Sequence, residues 1–165
     1  MSRAHVREVD GDEPEDLPEL PLSPHPNYVT PRGLALLEAR RDDVEAAIAA
    51  IPADAADRRQ QRAGLDRELR WLQARIATAQ RIAGAPRDPG KVAFGADVTV
   101  IDDDGRDTRY RIVGEDEADP DAGRISWTSP LARALIGLRV GEVALWRRPA
   151  GDLDIEITAI HYPPV

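Results

Sequence analysis

The chain has 165 residues, no cysteine and a formal net charge of −8, from 30 acidic and 22 basic side chains. The length allows one ordinary domain or two small ones, and the lack of thiols excludes disulfides, thiolate zinc sites and cysteine nucleophiles. Because negative charge opposes attraction to a polyanion, we expect no independent sequence-specific binding of nucleic acid. No apolar run approaches the roughly 20 residues that span a bilayer, and the first residues are acidic where a secretory signal is basic. A cytoplasmic protein without membrane contact is therefore expected.

Residues 1–28 form an acidic, proline-rich segment. Its prolines lie too close together for a helix or an interior strand, because proline lacks the backbone N–H that both require. They are Pro14, Pro18, Pro21, Pro24 and Pro26. The segment is predicted to be a disordered or extended tail.

A first helix is predicted to begin at Thr30 and Pro31. Threonine can accept an N-cap hydrogen bond, and proline at the first helical position loses no needed donor. Apolar residues then recur every three or four positions, which gives the helix one apolar face. They are Leu37, Val44, Ile48 and Ile51, and Pro52 should end the helix.

A second helix is predicted from near Asp57 to about Gly84 and Pro86. Its apolar positions have the same spacing and are Leu65, Leu69, Leu72, Ile76 and Ala79. Two consecutive helices with narrow apolar stripes can bury them only against each other. Residues 29–84 are therefore predicted to form an antiparallel coiled-coil hairpin.

The pattern becomes β-like after the linker Gly84–Gly90. Alternating apolar residues predict a β-hairpin that turns at Asp102–Gly105, a short strand near Ile125, and two later strands. Ser129 should cap a short helix. The predicted helix spans Pro130–Ile136, and the later strands span Glu142–Arg147 and Leu153–Ile160. Residues 90–162 are thus predicted to form a second, α+β domain with an antiparallel sheet.

Several polar features have structural explanations in the sequence. The acidic segment Glu115–Asp121 lacks the ligand spacing of a calcium loop and is predicted to be a solvated loop. Trp127 and Trp146 fall on strand patterns and are interpreted as packing residues. The three histidines, at positions 5, 25 and 161, lie too far apart to suggest a metal cluster.

Three common enzyme motifs do not occur in the sequence. A Ser-His-Asp arrangement, a phosphate-binding Gly-rich loop and a dinucleotide fingerprint are all missing. We therefore expect a protein that is not an independent enzyme.

Three ordered blocks of the second domain resemble the C-terminal domain of Gre-type transcription elongation factors (GreA/GreB). They are Gly90–Val98 (GKVAFGADV), Tyr110–Asp119 (YRIVGEDEAD) and Ser129–Gly137 (SPLARALIG). Leu65–Leu72 (LDRELRWL) also resembles the second coil helix of the GreB branch. The resemblance implies an α+β protein in which the coiled-coil hairpin precedes an FKBP-like domain.

The resemblance also implies a function. Family members dock on RNA polymerase through the C-terminal domain and direct the hairpin into the secondary channel. Carried over to this chain, the polymerase-binding residues are Thr128, Ser129, Pro130 and Leu131. The expected protein is a monomeric regulator that binds bacterial RNA polymerase and has no cofactor of its own. Because the FKBP-like fold is shared with prolyl isomerases, isomerase activity is the alternative from the enzyme class.

The hairpin tip is where the family acts, through an aspartate and a glutamate in a Gly-Asp-x-x-Glu-Asn motif that help hold magnesium in the polymerase active site. Here the tip reads IPADAADRR over Ile51–Arg59. Asp54 and Asp57 keep the spacing of two carboxylates, which are suitable Mg²⁺ ligands, but the flanking motif is missing. Either they share such a magnesium ion, or they cap the second helix. The short arms and the missing motif favour the cap, and with it a regulator that does not stimulate transcript cleavage.

Overall fold

The first part of the fold is a helical hairpin, and the computed structural model describes residues 17–165. Helix α1 spans Pro31–Ala49 and helix α2 spans Arg58–Thr78. Their buried apolar residues, together with Val29, are Leu37, Val44 and Leu72. The Thr30 side chain accepts a hydrogen bond from the Gly33 backbone N–H at 2.9 Å, so the predicted start of the first helix is confirmed.

The end of α2 differs from the prediction. The helix stops at Thr78 because Ala79 adopts an extended conformation, with φ −60° and ψ 127°. The next two residues form strand β2 (Gln80–Arg81), which pairs in parallel with strand β1 (Tyr28–Val29). Through this pairing, the segment that precedes α1 is hydrogen-bonded to the segment that follows α2 at the base of the hairpin.

The second part of the fold is a five-stranded sheet. Its strands are β3 (Asp97–Asp102), β4 (Asp107–Val113), β5 (Arg124–Ser126), β6 (Val143–Trp146) and β7 (Leu153–His161). They lie in the order β5-β4-β3-β7-β6. The short helix α3 spans Pro130–Leu135. The predicted α+β architecture, with a helical hairpin followed by a sheet and one short helix, is confirmed.

One strand pair departs from the predicted antiparallel sheet, because β5 runs parallel to β4. The chain between them makes two 3-10 turns, Glu115–Glu117 and Pro120–Ala122. Gly123 then turns the chain into β5 with a positive φ of 75°, and a Cβ there would lie 2.9 Å from the Arg109 carbonyl oxygen. Glycine is therefore required at this position.

The sheet and α3 enclose a separate apolar core. Its fully buried members come from the central strands and from α3, and include Val98, Ile112, Leu135 and Ile157. Tyr110, Trp127 and Trp146 pack against this core and are partly buried. The interpretation of the two tryptophans as packing residues is therefore correct.

Of the two alternatives predicted for the tail, disordered or extended, residues 17–28 adopt the extended one and lie against α2 and the sheet. Glu19 accepts a hydrogen bond from Arg70 at 2.7 Å, and the Pro21 carbonyl accepts one from Trp71 at 3.2 Å. Prolines exclude a helix, but they leave carbonyl groups free to accept bonds from neighbouring side chains. The rest of the predicted tail, residues 1–16, lies outside the described residues.

The acidic segment Glu115–Asp121 is only in part the solvated loop that was predicted. Glu117 is buried, and its carboxylate accepts hydrogen bonds from Thr30 at the start of α1 and from Arg32, the latter at 3.0 Å. Gly114 lies so close to Tyr28 that a Cβ would approach the Tyr28 carbonyl oxygen to 2.3 Å. The start of the segment is the junction between sheet and hairpin, where Glu115, Asp116 and Glu117 face arginines. Asp119 and Asp121 are exposed, as predicted.

Candidate functional site

The hairpin tip carries both predicted carboxylates on its exposed surface. Asp54 lies in the turn between the helices, and Asp57 occupies the N-cap position of α2. The Asp57 side chain makes no capping bond but accepts a hydrogen bond from the Gln61 side-chain amide at 2.7 Å. The helix-cap interpretation is therefore correct for the position of Asp57 but not for its hydrogen bond.

The tip is a compact turn without a metal site of its own. Arg58 donates to the Ile51 carbonyl at 3.0 Å, which closes the turn. Among residues 17–165, no group of three or more His, Cys, Asp or Glu side chains could hold a metal ion. Asp54 and Asp57 offer hard oxygen ligands that suit Mg²⁺, but six-fold coordination would need further ligands from water or a partner.

The second predicted site lies where β5 leads into α3. Ser129 caps α3, since its hydroxyl accepts a hydrogen bond from the Ala132 backbone N–H at 3.2 Å. Thr128 is partly buried and its hydroxyl lies 2.7 Å from that of Ser126. Pro130 is exposed at the first position of the helix. Of the predicted polymerase-binding residues, Pro130 is thus the one that a partner can reach most directly.

Leu131 does not belong to this surface. Its side chain is only 5% exposed and lies in the sheet core with Ala132 and Leu135. A helix of six residues must turn one face to the sheet, and Leu131 lies on that face. Its burial therefore argues against the prediction that Leu131 contacts a partner.

An apolar surface that the sequence analysis missed lies beside α3, on the edge strand β6 and the loop before it. Its exposed members are Ile136, Val140, Val143 and Leu145. In β6 the two large residues face outward while Ala144, between them, is buried. The small residue between two large ones is the signal in the sequence, because the larger side chains of a strand usually face the core.

An ion pair connects the linker between the hairpin and the sheet to the loop that carries part of this apolar surface. Arg139 donates to Asp88 at 2.6 Å, and this hydrogen bond holds the pKa of the Asp88 carboxyl below its usual value. Both side chains are about half exposed. The pair holds the loop next to Val140 in place. Because it is exposed, it contributes little to the stability of the fold.

A buried ion pair connects the hairpin to the segment that follows β4. Arg75 of α2 donates from Nε to Asp116 at 2.6 Å, and Glu115 lies 3.9 Å from the same guanidinium group. The Arg75 side chain is only 4% exposed. Its backbone carbonyl accepts a hydrogen bond from Asn27 at 2.7 Å. These charged contacts therefore help to hold α2 next to the segment that follows β4.

Comparisons of the sequence with known proteins find relatives of this chain. A model of the family described as "Transcription elongation factor, GreA/GreB, C-term" matches residues 87–162. The chain is 44% identical over 100 residues to transcription elongation factor GreB of Pseudomonas aeruginosa, covering 61% of this chain and 60% of that protein. It is 42% identical over 106 residues to GreA of Thioalkalivibrio sulfidiphilus, covering 63% of this chain and 67% of the relative.

Solved structures give weaker similarities. A prokaryotic GreA/GreB elongation factor from Nitrosomonas europaea aligns with a TM-score of 0.42 at 22% identity, over 82% of this chain and 98% of the other. The GreA homologue Gfh1 of Thermus thermophilus aligns with a TM-score of 0.41 at 23% identity, over 81% and 97%. Scores this low do not establish a common overall arrangement. Within residues 17–165, no helix has the length and apolar composition that a bilayer crossing requires.

Proposed function

Because the chain belongs to the GreA/GreB family of transcription elongation factors, we propose that it binds bacterial RNA polymerase and directs its hairpin into the secondary channel. In this proposal the sheet domain docks through Pro130, with Thr128 and Ser129 shaping the start of α3. The protein acts as a monomeric cytoplasmic regulator and not as an enzyme.

The observation that carries this proposal is the family match over residues 87–162, which contains the exposed start of α3. Exposed apolar residues also lie on β6, on its preceding loop and directly after α3. Apolar surface with a polar rim is typical of protein docking sites. The chain spans 60% of the length of P. aeruginosa GreB, so activities of the whole relatives are carried over here only as a proposal.

The test is affinity capture of purified core polymerase by the full chain. Pro130→Glu places a charge at the start of α3, where an acidic residue is compatible with the helix dipole and the fold should survive. We expect wild type to capture polymerase and the variant to bind at least about tenfold more weakly, because the charge must be desolvated at the interface.

Ala150→Glu is the matched control, since it adds the same charge at an exposed position in the β6–β7 turn. It should bind as wild type does. No measurable capture by wild type would end the proposal, and equal loss in both variants would remove Pro130 from the docking surface.

Within this proposal, the tip does not stimulate cleavage of backtracked transcripts. Asp54 and Asp57 are exposed, but the Gly-Asp-x-x-Glu-Asn motif through which the family acts is missing around them. At about 1.5 Å per residue, the 19 residues of α1 give a rod of only about 29 Å. Its reach to the catalytic magnesium is therefore limited.

We expect wild type and the Asp54→Ala, Asp57→Ala double variant to give the same RNA lengths in stalled, backtracked complexes on gels. Magnesium-dependent shortening of RNA with wild type, lost in the double variant, would show instead that the chain stimulates cleavage.

The cavities of the sheet domain do not favour prolyl isomerisation. The aromatic cavity, lined in part by Tyr110 and Trp146, holds about 260 Å³, below the roughly 300 Å³ at the lower end of ligand sites. Asp102, Arg106 and Arg148 line it beside apolar residues such as Val100 and Ile155. A proline ring bound there would displace water from these charged groups, which costs free energy.

A further inference from the structure

An arginine-lined cavity of about 470 Å³ opens on the outer face of the sheet. The strand register places Asp97 opposite Arg111, and Arg111 opposite Arg124, in one row across β3, β4 and β5. Arg109 lies on the same face of β4, and Arg32 approaches from the first turn of α1. Four guanidinium groups thus converge in a chain whose net charge is −8.

Most N–H donors of these arginines have no protein acceptor among the described residues. A guanidinium group carries five N–H donors. Arg32, Arg109 and Arg124 each donate one side-chain hydrogen bond, and Arg111 donates two. The Nε of Arg124 is buried and donates to nothing that the structure describes. A buried, unpaired charged donor is costly unless a ligand or water accepts its bond.

Asp97 organises the cluster. Burial raises the pKa of its carboxyl group, but hydrogen bonds from Arg111 and Arg109 outweigh that effect and hold the pKa below its usual value. Asp97 therefore stays ionised at neutral pH and orients two of the arginines. The Arg111 pair is bidentate, with distances of 2.6 and 2.7 Å.

The balance of positive and negative side chains in the cavity indicates which kind of anion can bind. Asp97, Glu117 and Asp119 neutralise three of the four positive charges. A monovalent carboxylate would gain little in competition with these acids, whereas a polyphosphate offers several charges and acceptor oxygens at once. The Asp119 carboxylate is about half exposed and joined to Arg124 by a single contact of 3.2 Å, so it can be displaced.

We propose that this cavity binds a small polyphosphate anion, with pyrophosphate and nucleoside diphosphates as its simplest forms. The cavity volume lies within the roughly 300–1,000 Å³ typical of small-molecule sites. The site goes beyond the proposed docking function, because it lies within this chain and needs no polymerase.

Isothermal titration calorimetry of the full chain at low salt tests the proposal, with pyrophosphate, guanosine diphosphate, acetate and a short single-stranded RNA as probes. The Arg109→Ala, Arg124→Ala double variant removes two cavity arginines and leaves the Asp97–Arg111 pair intact. The matched control is Arg133→Ala, Arg147→Ala, which removes two exposed arginines that do not line the cavity.

We expect pyrophosphate or guanosine diphosphate to bind wild type and the control equally. The cavity variant should bind at least about tenfold more weakly, because it loses charge-assisted hydrogen bonds. If the double variant does not fold, Arg109→Ala alone should still weaken binding about threefold. This side chain is 65% exposed, so its removal should leave the fold intact.

Three results would overturn the proposal. They are the absence of binding by both small phosphates, equal binding by the cavity variant and wild type, and binding of the RNA without binding of either small phosphate. Acetate should not bind, because a single charge cannot compete with the acids already present.

Discussion

Replacing Leu131 by alanine is expected to lower the free energy of unfolding by about 2–5 kcal/mol. The side chain is 5% exposed and packs in the sheet core with Ala132 and Leu135, so its truncation removes buried apolar surface and leaves a cavity. Urea unfolding followed by circular dichroism measures the loss. A weaker polymerase interaction in this variant would therefore report damage to the domain rather than a lost contact.

Ile136→Ala is the matched control, because Ile136 directly follows α3 but is 38% exposed. It should change the free energy of unfolding by less than about 1 kcal/mol. If Leu131→Ala lowers the free energy of unfolding no more than Ile136→Ala does, Leu131 is not a core residue. It would then again be a candidate for the docking surface.

Replacing Arg75 by alanine is expected to cost about 3 kcal/mol, at the lower end of the range for breaking a buried ion pair. The substitution leaves the Asp116 and Glu115 carboxylates without their cation at the junction. These carboxylates are 20% and 24% exposed, so water can recover part of the loss. Urea unfolding should show the lower stability, and the hairpin should move more freely relative to the sheet.

Arg40→Ala is the matched control. Arg40 of α1 pairs with Glu68 of α2 at 2.6 Å, but its side chain is 55% exposed. Exposed pairs contribute little to stability because water and salt screen them, so this variant should be nearly as stable as wild type. An Arg75→Ala chain as stable as Arg40→Ala would mean that the junction does not depend on the buried pair.

The elements that the sequence predicts well depend on neighbouring residues. The cap at Thr30 is formed with Gly33, three positions away. The turn after β3 is closed by the Asp102 carboxylate, which accepts hydrogen bonds from the backbone N–H groups of Asp104 and Arg106. Such short-range chemistry can be read from a single sequence, since both partners lie within one turn of chain.

The features that the sequence missed depend on distant partners. Glu117 meets Arg32 across 85 positions, and Arg75 meets Asp116 across 41. Acidic residues are usually solvated, and only the fold shows that these are paired. The β1–β2 pair consists of two residues on each strand, too short for an alternating pattern. The six residues of α3 likewise do not define which face of the helix holds Leu131.

Placement of the tip inside polymerase is the central claim, and a tethered cleavage probe measures it directly. The chain has no cysteine, so Ala56→Cys gives a unique attachment point at an exposed position of the tip, and Ala150→Cys gives one in the β6–β7 turn. An iron chelate at either cysteine generates hydroxyl radicals that cut polymerase close to the probe. We predict cuts in the parts of polymerase that line the secondary channel from position 56 and none there from position 150. Binding of both labelled chains without any cut in the channel lining from position 56 would contradict the account.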